Sequence, residues 1–499
     1  MRSASSTQAV EDFPARVETY VRSSDAAGYL PDLARVELAL HRLGKRIDQA
    51  PVAPETYCLN PDMALIEVDW QPLLQLLDGK QLAPRRSKQR LLLWRHPRTG
   101  EIRRDVATAA GLLAMKVVAE QIDPLMIAAE TGRPVGVIDA AIEQAVECGL
   151  LLAPVSTLRR EAAPGPISTK TPEEFLRAEV FTLQWHITHR CDLHCKHCYD
   201  RSRRDDVSLE QGQKILDQLR SFCLSHHVRG QVSFTGGNPL LHPEFPELYR
   251  AARDRNLNLA ILGNPVSEER LDHILQIARP AFYQVSLEGL RDHNDQIRGP
   301  GSFDAVLDFL ALLQRKNIYS MVMLTLTRAN LDQVLPLAEV LRDRVDLFTY
   351  NRLSMVGEGA SLATPEPAEY QQFVQEYLTA RQSNPVMGLK DSLLNIALEH
   401  QESGLFGGCT GYGCGAAFNF VSLLPDGQVH ACRKFPSPIG NVNQQTLEQI
   451  YASAQAQAYR RGCSDCERCH LRPVCGGCLA VAYGFGVDPL KVKDPACFL

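Results

Sequence analysis

Nowhere in these 499 residues does an uninterrupted apolar run approach the roughly 20 residues that a membrane-spanning helix needs. The opening stretch, MRSASSTQAVEDFPARVE, lacks the apolar centre of a secretory signal. A spanning or secreted protein is therefore not expected, and a cytoplasmic one is. Positive charge is also short: 53 Lys and Arg face 58 Asp and Glu, a net charge of −5. Such a balance gives no general attraction to nucleic acid or anionic lipid, so neither is expected as a partner. The chain has no low-complexity tract and no early Gly-rich dinucleotide loop, which argues against an open nucleotide-binding sheet. Cysteine, by contrast, is abundant. Fifteen cysteines, most of them clustered, are too many for a reducing compartment unless they bind metal.

A hydrophobic content of 45% is ordinary for a globular chain, and the length allows roughly two to four domains with real cores. Residues 1–55 form an N-terminal helical segment with one amphipathic helix near 32–48. Residues 56–155 are mixed. LIEVDW and RLLLWRH read as strands, HPRTGE as a hairpin turn, and helices follow near 108–122, 124–130 and 135–148. The Pro-, Ser-, Thr- and charge-rich stretch 156–178 reads as a linker. From 179 to 400, strand-like runs begin near Val180, Gln231, Asn258, Phe282, Tyr319 and Leu347, with helices between them. One of these, Ser208–Ser225, opens on a Ser208-x-x-Gln211 capping box. Six such units imply parallel strands joined by helical crossovers, and a partial barrel. In residues 405–499 periodicity fades and cysteine dominates.

The stretch CDLHCKHC places Cys191, Cys195 and Cys198 just after the first strand of the alternating region. Strand C-termini are where such folds place their active sites. One reading is structural zinc, with His194 or His197 as a fourth ligand. The other is an iron–sulfur cluster held by three thiolates, which leaves one iron open to a substrate or cosubstrate.

A C-x3-C-x2-C motif after the first strand of a partial (β/α)6 barrel resembles the radical S-adenosylmethionine (radical SAM) enzymes. The resemblance implies a [4Fe–4S] cluster on Cys191, Cys195 and Cys198 whose unique iron chelates S-adenosylmethionine. Its cleavage yields a 5′-deoxyadenosyl radical, fed by a low-potential donor such as ferredoxin or flavodoxin. SFTGGNPLLHP resembles the family's Gly-Gly-Glu-Pro loop, with Gly236 and Gly237 close to the methionine ammonium and Asn238 where Glu is usual. An amide there offers a hydrogen bond without a full charge. By the same resemblance Ser286 and Asn264 border the nucleoside or carboxylate, Arg298 pairs with the methionine carboxylate, and Thr325 borders the nucleoside. His197 and Tyr199 stand beside the adenine.

Beyond the barrel, CSDCERCHLRPVCGGC alone could make two zinc knuckles. The wider pattern, C-x4-C-x12-G-x4-C, then C-x2-C-x5-C-x2-C and a late cysteine, resembles the SPASM extension of radical SAM enzymes. That implies two auxiliary [4Fe–4S] clusters, one on Cys409, Cys414, Cys432 and Cys478, the other on Cys466, Cys469, Cys475 and Cys497. Cys463 is an extra thiol, so either Cys463 or Cys466 could be the partner. Cys58, Cys148 and Cys223 are expected to be buried apolar residues.

In the N-terminal third, DPLMIAAETGRPVGVIDAAIEQAVECGLLLAP reads as helix–turn–helix followed by a wing strand. Its second helix carries Asp139, Glu143 and Glu147 and no Lys or Arg, which would repel DNA. Hairpin plus winged helices resembles the PqqD-like recognition element of peptide-modifying radical SAM enzymes. The fold expected is therefore α/β: a partial (β/α)6 TIM-type barrel core, an N-terminal winged-helix-like α+β domain at 56–155, and a cysteine-rich SPASM domain at 405–499. The implied function is maturation of a ribosomally made precursor peptide bearing a leader. Gly-Gly-Asn-Pro, WRHPRTGE and LPDLARVE resemble most the selenobiotic-type, thio(seleno)oxazole-forming maturases. The alternatives are a SPASM enzyme acting on a folded protein or small-molecule precursor, and a DNA-binding redox sensor.

Overall fold

A computed structural model describes residues 11–24, 27–45, 53–160 and 172–499. Two compact units divide the chain, Met1–Val155 and Ser156–Leu499.

The first unit begins with two helices, α1 (Phe13–Arg22) and α2 (Leu30–Lys45). The helix expected over 32–48 is α2; positions 46–48 lie outside the described residues. A short strand β1 (Cys58–Leu59) precedes β2 (Met63–Gln71), the short helix α3 (Leu73–Leu77), β3 (Arg85–Arg95) and β4 (Ile102–Val106). Strands β2, β3 and β4 form an antiparallel sheet, and β3 and β4 close the expected hairpin with Arg95 opposite Ile102. Helices α4 (Ala109–Ala119), α5 (Pro124–Thr131) and α6 (Val135–Cys148) follow. Each start has a local cause: Thr108 and Asp123 cap α4 and α5 with side-chain oxygens, and Pro stands at the start of α5. Gly132 and Gly149 end α5 and α6 in left-handed backbone. The strand after α6, β5 (Leu151–Leu152), pairs antiparallel with β1. Leu92, Trp94, Met115 and Leu151 pack one small core; Val36, Val68, Leu73 and Leu91 pack another. Cys58 and Cys148 are only half-buried; Cys223, in the second unit, is the buried one.

The second unit is built on β6 (Val180–Thr188), β7 (Arg229–Gly236), β8 (Asn258–Leu262), β9 (Phe282–Ser286), β10 (Ser320–Leu326) and β11 (Leu347–Arg352). They lie side by side in chain order and all are parallel. The crossovers are α7 (Leu209–Ser225), α8 (Phe245–Arg253), α9 (Glu268–Ile277), then α10 (Arg291–Arg298) with α11 (Ser302–Arg315), and α12 (Val334–Leu341). Ser208 and Gln211 make the expected capping box on α7. This is the partial barrel expected from the alternation, with Phe181, Trp185, Phe234, Tyr283, Val322 and Phe348 in its core.

Helices α13 (Pro367–Arg381) and α14 (Leu394–His400) lead into the cysteine-rich region. There the structure adds what sequence reading missed. Strands β12 (Phe420–Leu423), β13 (Gln428–His430) and β14 (Pro438–Asn441) extend the barrel sheet, with β12 parallel to β6, making nine strands. Four consecutive buried residues in β12 show no alternation, so nothing marked it as a strand. Helices α15 (Leu447–Ala452), α16 (Ala454–Arg461) and α17 (Leu479–Gly484) complete the unit.

The expected linker, 156–178, is described only in part, since 161–171 lie outside the described residues. Its two ends pack on the second unit: Leu158 is buried, and Arg160 donates to Tyr412 O at 2.7 Å and lies over the Phe418 ring. Burial lowers the Arg160 guanidinium to about 10.

Candidate active site and auxiliary cysteine centres

The loop after β6 carries the three cysteines and is stapled at both ends. Thr188 Oγ1 donates to Asp206 at 2.5 Å and accepts from Arg190 N, while Arg190 pairs with Asp206 at 2.9 Å. Farther along, Cys198 N donates to Cys195 O, and Cys198 O accepts from Glu358 N at 2.9 Å. Cys191 is exposed; Cys195 and Cys198 are half-buried. Burial pushes the Cys195 thiol up to about 11 and raises that of Cys198.

Gly236 and Gly237 end β7 against this same loop. Gly237 N donates to Thr188 O and Asn238 N to Arg190 O at 2.7 Å. A Cβ on Gly237 would lie 2.2 Å from Arg190 O, and one on Gly236, at φ +139°, 2.1 Å from Thr188 O. The glycines therefore let the backbone approach the cysteine loop before any ligand is considered.

Asn238 differs from expectation. Its Oδ1 accepts from Leu240 N and its Nδ2 donates to Asp192, each at 3.2 Å, and it is absent from the cavity wall. The short turn at Pro239–Leu241 needs that cap, so the amide faces its own backbone.

A cavity of about 370 Å³ opens on the cysteines. Cys191, Cys195, Cys198, His197, Tyr199, Gly236, Gly237, Asn264, Ser286, Arg298 and Thr325 all line it, brought together from β6, β7, β8, β9, α10 and β10. A hydrogen-bond chain runs through the wall. Asn264 Nδ2 donates to Asp192 at 2.5 Å and reaches Cys191 Sγ at 3.8 Å. Arg298, buried rather than on the surface, donates to Asn264 Oδ1 at 3.1 Å and to Glu288 at 3.3 Å. Glu288 also accepts from Thr325 N at 2.8 Å and lies 3.3 Å from His197 Nε2. Burial lowers the pKa of His197 despite Glu288, keeping the ring neutral. Sequence reading missed Glu288, Asp192, His186 and Arg433; Glu288 stands two residues after Ser286, and only that spacing hinted at it.

The later cysteines fall into two groups. Cys414 is pushed up to about 12 by burial and then by its neighbours Cys478, Cys409 and Cys432. Half-buried Cys432 is raised to about 11 by desolvation, with Cys478 and Cys409 as neighbours. In the second group burial raises Cys466 to about 12, with Cys463, Cys469 and Cys497 as neighbours, and Cys475 is raised by burial with Cys469 nearby. Cys463 is buried and its Sγ donates to Lys491 O at 3.1 Å. Five thiols thus stand where four are expected. Backbone partners fix the ligand loops: Ser392 Oγ takes Cys409 N, Ser437 Oγ takes Cys432 N, and Asp494 takes Cys478 N at 2.8 Å.

Residues 185–341 match the model of the radical SAM superfamily, and residues 414–478 match that of the SPASM iron–sulfur cluster-binding domain. The chain carries a radical SAM domain and a SPASM domain. It is an enzyme. Its cofactors are a [4Fe–4S] cluster with S-adenosylmethionine in the radical SAM domain and auxiliary iron–sulfur clusters in the SPASM domain.

Among its relatives is the antilisterial bacteriocin subtilosin biosynthesis protein AlbA of Bacillus subtilis, 26% identical over 65% of this chain and 72% of that protein. Mycofactocin maturase MftC of Mycolicibacterium smegmatis is 26% identical over 63% of this chain and 82% of its own length. Fe-coproporphyrin III synthase of Methanosarcina barkeri is 24% identical over 67% and 92%. The fold resembles that of Streptococcus suis SuiB bound to precursor peptide SuiA, with a TM-score of 0.53 at 16% identity, covering 82% of this chain and 97% of that one.

The residues present fit these cofactors. Three thiols on one loop leave a cluster one ligand short, and residues lining the cavity beside them carry buried polar atoms without a hydrogen-bond partner, His197 Nδ1 and Arg298 Nε among them. Among the described residues no three His, Cys, Asp or Glu side chains close on a single metal ion. A four-iron cluster is a larger body, and its thiolates stand farther apart than the ligands of one ion.

Proposed function

We propose that this enzyme modifies a ribosomally made precursor peptide by hydrogen abstraction at the mouth of the partial barrel. The observation that carries the reading is the conjunction of the three-cysteine cavity with two further thiol groups on one chain, in a protein whose relatives include one named for bacteriocin biosynthesis and one named as a mycofactocin maturase. When bound, the cluster and S-adenosylmethionine supply a 5′-deoxyadenosyl radical.

The chain's own residues then have these roles. Cys191, Cys195 and Cys198 hold the first cluster. Gly236, Gly237, Asn264, Ser286, Tyr199 and Arg298 bind the cosubstrate, with Glu288 and Asn238 orienting Arg298 and Asp192. Arg298 Nε is the donor left for the methionine carboxylate. Cys409, Cys414, Cys432 and Cys478 hold one auxiliary cluster. Cys466, Cys469, Cys475 and Cys497 hold the other, with Cys463 able to replace Cys466. Ferredoxin or flavodoxin supplies the electron.

In the first unit the exposed strand β4 is an edge of its sheet, with backbone groups that an extended leader could join as an added strand. That supports a PqqD-like recognition role; the selenobiotic-type subclass rests on the Gly-Gly-Asn-Pro, WRHPRTGE and LPDLARVE stretches. Holding the leader raises the effective concentration of the segment to be modified. No helix among the described residues is long and apolar enough to cross a membrane. The exposed Glu143 and Glu147 on α6 would repel a phosphate backbone.

The test is co-production of the enzyme with short peptides encoded beside its gene, read by mass spectrometry. A mass change that needs Cys191, Cys195 and Cys198 supports the proposal. No change in any neighbouring peptide, together with turnover of a tetrapyrrole as the Fe-coproporphyrin relative's name suggests, would move the enzyme to small-molecule chemistry.

A further inference from the structure

The cavity wall carries five cations, and four of them are accounted for. Arg298 is paired with Glu288, Arg352 with Asp391 and Asp494, and Arg201 lies 3.6 Å from Glu358. Lys434 donates to Arg352 O at 2.9 Å, and its charge acts on the thiols of Cys432 and Cys478. It answers the charge of the auxiliary thiolates.

Arg433, one residue away, points the other way. Its charge acts on His186 and Tyr199, which belong to the barrel. Thr235 Oγ1 accepts from its Nη1 at 3.0 Å, and its guanidinium carbon lies 5.3 Å from the centre of the Tyr199 ring. The phenol of Tyr199 stands 3.3 Å from His186 Nε2. Threonine, tyrosine and a buried histidine are neutral neighbours, so the cation has been fixed in place without a counter-charge. Among the described residues no carboxylate pairs with it, and Asp200, which also acts on His186 and Tyr199, is engaged with Ser202 and Arg204. A half-buried guanidinium held by one hydroxyl and one ring face presents the rest of its planar fork to a carboxylate at little further entropic cost.

We infer that Arg433 is a specificity-determining residue that receives a carboxylate of the peptide being modified, either an acidic side chain beside the reacting residue or a free C-terminus. The inference rests on the proposed peptide substrate and names a chemical feature of it. Cosubstrate recognition is assigned to a separate arginine, Arg298, which lines the same cavity and is held by Asn264 and Glu288.

The test uses anaerobic holoenzyme saturated with S-adenosylmethionine and N-acetylated Ala-Ala-Xaa-Ala-Ala probes. Xaa is Glu or Gln with an amidated end, or Ala with a free carboxylate. Calorimetric titration should show a carboxylate probe binding about tenfold more tightly than the Gln probe, the factor a charge-assisted contact supplies. Arg433→Gln should erase that difference, Arg433→Lys should keep part of it, and S-adenosylmethionine affinity should move by less than about twofold in either variant. Which carboxylate probe wins identifies the source of the charge. Equal binding of all probes, or no binding of any, overturns the inference. So does loss of S-adenosylmethionine binding in Arg433→Gln comparable to that in Arg298→Ala. Failure of the proposed function is read separately, by co-production with the neighbouring peptides: an enzyme that modifies none of them fails there, whereas one that modifies a peptide but shows no carboxylate preference fails only here.

Discussion

Replacing Arg352 by Met tests how the SPASM cysteines are held against the barrel. Arg352 ends β11, with its side chain 4% exposed, and its Nε meets Asp391 at 2.7 Å. Its two Nη atoms meet the oxygens of Asp494 at 2.9 and 2.5 Å, and its guanidinium lies 5.2 Å from the Tyr370 ring centre. The carboxylates are 8% and 1% exposed, so neither can turn to water once the arginine is gone. Asp494 also accepts from Cys478 N and Ala496 N, and Asp391 Oδ1 accepts from Leu393 N, in the segment that leads to Cys409. Met fills similar volume, so the loss is mainly electrostatic. Breaking a buried ion pair by removing one partner costs about 3–5 kcal/mol. At roughly 1.4 °C per kcal/mol for a unit of this size, the melting temperature should fall by about 4–7 °C. Differential scanning calorimetry of anaerobic holoenzyme, with iron counted alongside, reads both effects. Adding Asp391→Asn and Asp494→Asn to Arg352→Met should recover part of the loss, because the unpaired charges go. A single variant that melts within about 1 °C of wild type with full iron would refute the reasoning.

Four other outcomes follow from the site. Glu288→Gln should weaken S-adenosylmethionine binding about tenfold by calorimetry, since Arg298 loses its charged anchor. Gly237→Ala should cost about four irons per chain, the first cluster, because the added methyl group would meet Arg190 O at 2.2 Å. Single changes at Cys463 or Cys466 should each keep the iron content, while the double change should lose about four irons, as expected where five thiols serve four positions. Asp494 titrates below the ordinary carboxylate range: burial raises it, but Arg352 and the backbone amides outweigh that. Its stabilising share is therefore present above the unfolded pKa of about 3.9 and lost as pH falls below that, and Asp494→Asn should flatten this part of a stability–pH curve.

Much of the core was legible because its signals are local. Alternating strands and helices, a capping box at Ser208 and three cysteines in one loop each need only neighbouring residues to be read. The two thiol groups came from the resemblance to the SPASM extension, since spacing alone also allowed zinc knuckles, and Cys463 remains one thiol too many. What was not legible depends on contacts far apart in the chain. Glu288 matters because Thr325 N, His197 and Arg298 converge on it from other elements. Asn238 looked like a ligand contact, yet its amide is taken up by Leu240 N and Asp192. Strand β12 carries no periodic pattern, since both its faces are buried, and only its pairing with β6 makes it a strand.

The account stands most directly on iron and radical chemistry in one sample. Anaerobically reconstituted protein should hold about twelve irons per chain. With S-adenosylmethionine and a low-potential reductant it should release 5′-deoxyadenosine. Changing Cys191, Cys195 and Cys198 together to Ala should remove about four irons and abolish that product. Protein that carries stoichiometric zinc and little iron, or that forms 5′-deoxyadenosine without those three cysteines, would contradict it.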